Sequence, residues 1–84
     1  MLELTQSYSR STVELIPTMR TLARLRYWRE ERAKTQAELA REAGVSEATV
    51  VYLERGRPAR PSTVRKLARA LRVRRYSDLY GEDE

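Results

Sequence analysis

The chain has no cysteine and no histidine, only three glycines and three prolines, and no long apolar run: stretches such as Leu15-Ile16 or Val50-Val51-Tyr52-Leu53 end after a few residues. Without cysteine there are no disulfides, thiolate metal sites or cysteine nucleophiles, and a chain this short without a disulfide framework does not read as a secreted mini-protein. Without histidine, a metal would need carboxylates alone. Acid–base chemistry near neutral pH would likewise need a strongly shifted Glu, Asp, Lys or Tyr. No nucleophile–base pair, metal box or phosphate loop takes their place, so the expectation is a non-enzyme needing no cofactor. The missing apolar runs exclude a membrane span and a signal-peptide core, which places the protein by default in the cytoplasm.

What is present is charge, unevenly distributed. Of 84 residues, 17 are Lys or Arg and 12 are Asp or Glu, a net +5. Residues 20–76 hold sixteen basic residues against six Glu, a net +10, with arginine outnumbering lysine fourteen to two. The guanidinium fork grips phosphate in two places and stays protonated, so this excess suits a nucleic-acid surface. Arginine-rich, alanine-rich helices also occur in proteins from GC-rich genomes or hot habitats, so composition alone leaves both readings open. The end is acidic, with Asp78, Glu82, Asp83 and Glu84.

Eighty-four residues make one domain, and about sixty can share its core. Residues 1–17 are Ser/Thr-rich and end at Ile16-Pro17, where proline disfavours helix in the preceding residue. They read as an N-terminal arm, flexible or dimer-associated, although Ser11 to Glu14 has capping-box spacing. Residues 18–80 form the domain and 81–84 an acidic tail. From Thr18, Met19, Leu22, Leu25 and Trp28 recur at three-residue steps, predicting a first helix that ends near Ala33 with Trp28 on its inner stripe. Thr35 with Glu38 three residues on predicts a capped second helix over 36–43, closed by Gly44. Ser46 caps a third, with Val50 and Leu53 inward and Gly56 at its end. The two prolines of 57–61 predict a loop. Ser62 then caps a fourth helix carrying Val64, Leu67, Ala68 and Leu71, and residues 77–80 make a last helical turn. No strand-like alternation is visible in the core.

Two capped helices separated by three residues cannot run antiparallel and must cross steeply, leaving the first turn of the second projecting outward. That turn carries free amides and a partial positive charge, which suit it to a groove between two rows of phosphates. At Thr35-Gln36, Leu39-Ala40, Gly44-Val45-Ser46, Thr49-Val50, Leu53-Glu54-Arg55-Gly56, Pro61 and Leu67-Ala68 with Ala70-Leu71, the chain resembles the Xre family, the Cro and phage-repressor type of helix-turn-helix regulator, over roughly residues 22–80. The resemblance implies an all-α, five-helix lambda-repressor-like DNA-binding domain, here with a short N-terminal extension. It implies Gln36 on a phosphate, Glu47, Ala48, Thr49 and Tyr52 facing bases, and Arg55, Arg57 and Arg60 beside the backbone. With the caps Thr35 and Ser46, these ten residues are the candidate DNA-binding set.

Each has a plainer reading. Gln36 also fits a solvated first-turn residue, the three arginines a solvated loop, and Ser46 mainly a cap. Glu47 either accepts from a cytosine amino group or neutralises the helix dipole, and in both cases repels phosphate. Val51 and Tyr52 lie where the family is usually polar, offering an apolar strip to thymine methyls or to another protein. Lys34 stands where the family is usually apolar, and the spacing from Val73 to Leu79 is about a residue longer than common. The expected function is a sequence-specific DNA-binding transcriptional regulator acting as a homodimer on a two-fold operator and associated with the nucleoid when bound. The alternative is a protein-interaction module, an antitoxin or adaptor using Val51, Tyr52 or the N-terminal arm.

Overall fold

The structure is a computed structural model that describes residues 19–81. The N-terminal arm, its capping box and residues 82–84 of the acidic tail lie outside the described residues. Five helices follow one another: α1 (Leu25–Glu31), α2 (Gln36–Ala43), α3 (Glu47–Glu54), α4 (Pro61–Leu71) and α5 (Ser77–Tyr80). Two short strands, β1 (Arg20–Thr21) and β2 (Pro58–Ala59), join the segment before α1 to the segment before α4.

The strands correct two expectations. The first described helix begins only at Leu25, and residues 57–61 are not a plain loop: Arg20 pairs with Ala59 and Thr21 with Pro58, antiparallel. Pro58 and Pro61 force Arg57 and Arg60 out of the helical region, so the stretch between them runs extended and its backbone groups need partners. The backbone of Arg20–Thr21 supplies them. Met19, placed on a helical stripe by spacing, is 41% exposed, while Leu22 is buried from the segment before the helix and Leu25 from its first residue. The start of α4 also differs. Its N-cap is Arg60 without a side-chain cap, and Pro61 occupies the first turn in place of a Ser62 cap. Proline suits that position because its fixed φ is helical and its missing N–H would have had no partner there.

The remaining helices form as their local chemistry requires. Thr35 accepts from the Glu38 N–H at 3.0 Å, and the Glu38 carboxylate accepts from the Thr35 N–H at 2.8 Å, completing a capping box. The hydrogen bond from the Thr35 backbone holds the Glu38 carboxyl below its ordinary range. Its contribution to the cap is therefore present above the unfolded carboxylate range and lost as pH falls through the lower folded value. Gly44 ends α2 in the left-handed region at φ 77°, where any side chain would be strained. Its N–H and that of Val45 both donate to Ala40 O at 2.9 Å. At Ser46 the hydroxyl accepts from the Thr49 N–H at 3.1 Å and opens α3.

α2 packs against both α3 and α4, and α1 against α3 and α5. Leu22, Leu25, Leu39, Val50, Val64, Leu67, Leu71 and Leu79 fill the centre with almost no exposure. Leu79 completes the core from a helix of only four residues. That helix is tied to α1 by Arg24 N–H donating to Leu79 O at 3.0 Å and by the Trp28 indole N–H donating to Asp78 O at 2.9 Å. Trp28 is thus half-buried at the rim of the core, packed between α1 and α5 rather than enclosed. Trp28→Phe keeps most of this packing but leaves Asp78 O without its donor. A loss of about 1 kcal/mol is expected, read as a fall of about 4–8 °C in Tm for a domain of this size. An unchanged Tm would show that water replaces the indole without cost.

Candidate nucleic-acid interface

The outward face of α3 is built from its first two turns. Glu47 and Ala48 are exposed, Val51 is half-buried, and Tyr52 is 55% exposed. Val50 and Leu53 point into the core and hold the helix from behind. Thr49 is half-buried, and its hydroxyl lies 2.8 Å from the Ser46 hydroxyl. Ser46 and Thr49 are therefore occupied with opening the helix, and Thr49 offers a groove mainly its methyl group. Thr35 is likewise committed, its hydroxyl and N–H both being used in the capping box.

The candidate backbone contacts stand on a pinned ribbon. Arg55 ends α3 as its C-cap, Arg57 directly precedes β2 and Arg60 directly follows it; all three are exposed. Arg57 N–H donates to Tyr52 O at 3.2 Å, Gly56 N–H donates to Leu53 O at 3.1 Å, and the strand pair clamps the other side. A guanidinium on a fixed backbone loses less freedom when it meets a phosphate than one on a mobile loop. The strands that interrupt an otherwise helical fold thus position three cations at the end of α3.

Gln36 is used differently from the simple phosphate donor that its place suggested. Its Nε2 donates to Glu54 Oε1 at 3.0 Å, leaving one N–H of the amide for another partner. Glu54 is the hub of this network. Its carboxylate also takes both arms of the Arg29 guanidinium, one at Oε2 and the other at Oε1, the latter at 3.1 Å, and Arg29 Nη1 donates to Lys34 O at 2.9 Å. Hydrogen bonding to Glu54 raises the Arg29 pKa above its already high ordinary value by more than burial lowers it. One carboxylate thereby fixes the C-terminal end of α3 relative to α1 and to the first turn of α2. Sequence reasoning missed this pair, although Arg29 lies four residues after Leu25 and Glu54 four after Val50, which puts each on an inward-facing register. Lys34, out of place in an apolar position, is accommodated by an ion pair to Glu42 at 2.6 Å.

Two short capped helices, packed on each other, joined through a left-handed glycine and with the first turn of the second left exposed, define a helix-turn-helix DNA-binding domain. A family model described as helix-turn-helix matches residues 25–76, and the chain belongs to that family, which comprises the regulators of Xre, Cro and lambda-repressor type. Comparison with curated proteins and with solved structures returns no match. Among the described residues no helix is long and apolar enough to cross a membrane.

Proposed function

We propose that this DNA-binding regulator is sequence-specific and acts as a homodimer on a two-fold operator, with the first two turns of α3 in the major groove. The observation that carries the reading is the pairing of an open, capped α3 face with three exposed arginines on a strand-clamped ribbon beside it. Glu47, Ala48, Val51 and Tyr52 then face base edges, with the Thr49 methyl beside them. Arg55, Arg57 and Arg60, with the remaining N–H of Gln36, take backbone phosphates. Phosphate contacts set register and affinity, and base contacts set the sequence. A homodimer is part of the proposal because one such module has too few contacts to select a site among many competitors. The regulator would work where the chromosome is, in the cytoplasm.

The test is selection of duplexes from a random pool, followed by titration of the selected site over a range of salt. An enriched palindromic motif, with affinity falling steeply as salt rises, is the expected result. Arg57→Ala/Arg60→Ala should weaken binding to every duplex and reduce the salt slope by about two, one unit for each lost phosphate contact. An unchanged slope would remove both arginines from the interface.

The exposure of Tyr52 beside Val51 supports a second reading, in which this strip docks another protein as in an antitoxin or adaptor. In that case Tyr52→Ala abolishes capture of a co-purifying protein, that capture is insensitive to salt, and no DNA motif is enriched.

A further inference from the structure

The exposed surface of α4 carries Arg65, Arg69 and Arg72 at spacings of four and three, a single stripe that flanks the inward Val64, Leu67, Ala68 and Leu71. Among the described residues, none of the three lies within 4.0 Å of a carboxylate. The stripe runs into an open cleft of about 510 Å³ lined by Arg32, Lys34, Glu42, Arg69, Ala70 and Arg72. The one carboxylate there, Glu42, is already taken by Lys34. Arg32 is held in place, its Nε donating to Leu71 O at 2.7 Å and its guanidinium lying 4.9 Å from the centre of the Trp28 ring. Among the described residues, its four other N–H donors have no hydrogen-bond partner.

Helix-end electrostatics accounts for part of this charge, since Arg32 and Arg72 sit at C-terminal ends. It does not account for Arg65, which lies in the N-terminal half of α4. Nor does it account for the backbone at Arg72, the left-handed C-cap of α4 at φ 58°, ψ 39°. Glycine occupies that conformation without steric cost, and arginine does not. A stripe of arginines without carboxylate partners among the described residues, one of them at a position that glycine would fill with less strain, points to a bound anion.

We propose that this stripe binds the backbone phosphates of a second DNA segment, so that a protein seated on its operator through α3 also holds a neighbouring duplex. The inference rests on the reading of α3 as the operator-binding element. The cleft into which the stripe runs is lined from the end of α1, from α2 and from α4, and none of its lining residues belongs to α3 or to the ribbon from Arg55 to Arg60. The duplex that α3 enters therefore does not cover these arginines. A second copy of the chain is a poor occupant, because a two-fold contact across this face sets the arginines against one another. A protein partner would need a continuous apolar centre, whereas in the clefts along the stripe Ala68, Ala70, Val73 and Tyr76 are scattered among five cations, Arg32, Lys34, Arg65, Arg69 and Arg72. Interfaces with DNA are more polar and more positively charged, as this one is.

A sandwich assay tests the proposal. The full chain is loaded on an immobilised duplex carrying the selected site, and retention of a labelled duplex from solution is measured per protein loaded. Retention by the parent is expected. Arg69→Gln/Arg72→Gly should reduce it about tenfold while loading on the immobilised site stays within about threefold. Melting should be unchanged or raised, since glycine relieves the strain at 72. Arg26→Gln/Arg41→Gln, which removes the same charge elsewhere, should retain the labelled duplex as the parent does. The proposal is overturned if the loaded parent retains no second duplex, or if both double variants lose it equally. Failure of the parent to load on any duplex would instead sink the reading of α3, and this inference with it.

Discussion

Glu54→Ala is expected to lower the stability of the domain by about 3 kcal/mol, the lower end for a buried pair, because it leaves the half-buried Arg29 guanidinium without its counter-ion. The two side chains are 12% and 6% exposed, and Glu54 is also the acceptor for the Gln36 amide. At about 0.05–0.15 kcal/mol per residue, a domain of this size has little more than that to lose. Tm should fall by at least about 12 °C, and DNA binding should vanish with the fold. Arg29→Met/Glu54→Leu, which removes both charges and keeps the volume, should recover most of the loss, since a buried pair rarely outperforms well-packed apolar groups. Recovery of folding without recovery of operator affinity would separate the two roles of the pair: the double variant keeps the core but gives up the polar lock that sets α3 against α1 and α2. A Glu54→Ala protein melting within about 4 °C of the parent would show that Arg29 reaches water, and that the lock is weak.

The second large effect concerns specificity. Glu47 is exposed in the first turn of α3, where the helix dipole favours its charge and a phosphate would not. If its carboxylate accepts from a cytosine amino group, Glu47→Gln changes the preference at one base pair by about 1–3 kcal/mol, a factor of roughly 5 to 150 in relative affinity. The same change removes a repulsion and raises binding to unrelated duplexes. Selecting from one random pool with parent and variant separates the outcomes. A motif altered at one symmetric position places Glu47 on a base, and identical motifs reduce it to a dipole partner.

What could be read in the sequence was what is encoded locally. The capping box of Thr35 and Glu38, the left-handed Gly44 and the Ser46 cap each act within a few residues, and α2 and α3 lie where these signals set them. The inward stripe of α4 was equally visible, because one face of a helix has one period. The strand pair was not. It joins Arg20–Thr21 to Pro58–Ala59 across most of the domain, and two residues are too few for alternation to register. Three-residue spacing from Met19 to Trp28 imitated one continuous helix, although a strand and a turn carry the chain as far as Arg24 and helix begins at Leu25. Arg29 and Glu54 escaped notice because charged residues read as surface, though a basic and an acidic residue at matching inward registers on neighbouring helices are themselves a signal. At the candidate interface, the sequence placed Arg55, Arg57 and Arg60 beside α3 but could not show that they stand on a clamped ribbon. It also could not show that Gln36, Thr35 and Thr49 spend hydrogen-bonding capacity inside the protein.

The closure of α5 on the segment leading into α1 bears on how the domain can be rewired. The Arg20 guanidinium lies 4.7 Å from the centre of the Tyr80 ring, and a Cβ on Gly81 would stand 2.9 Å from that of Ala23. The described segment therefore begins and ends side by side. A short linker from position 81 back to position 20 would close the domain into a ring with its core contacts intact, and new ends could be opened between α4 and α5.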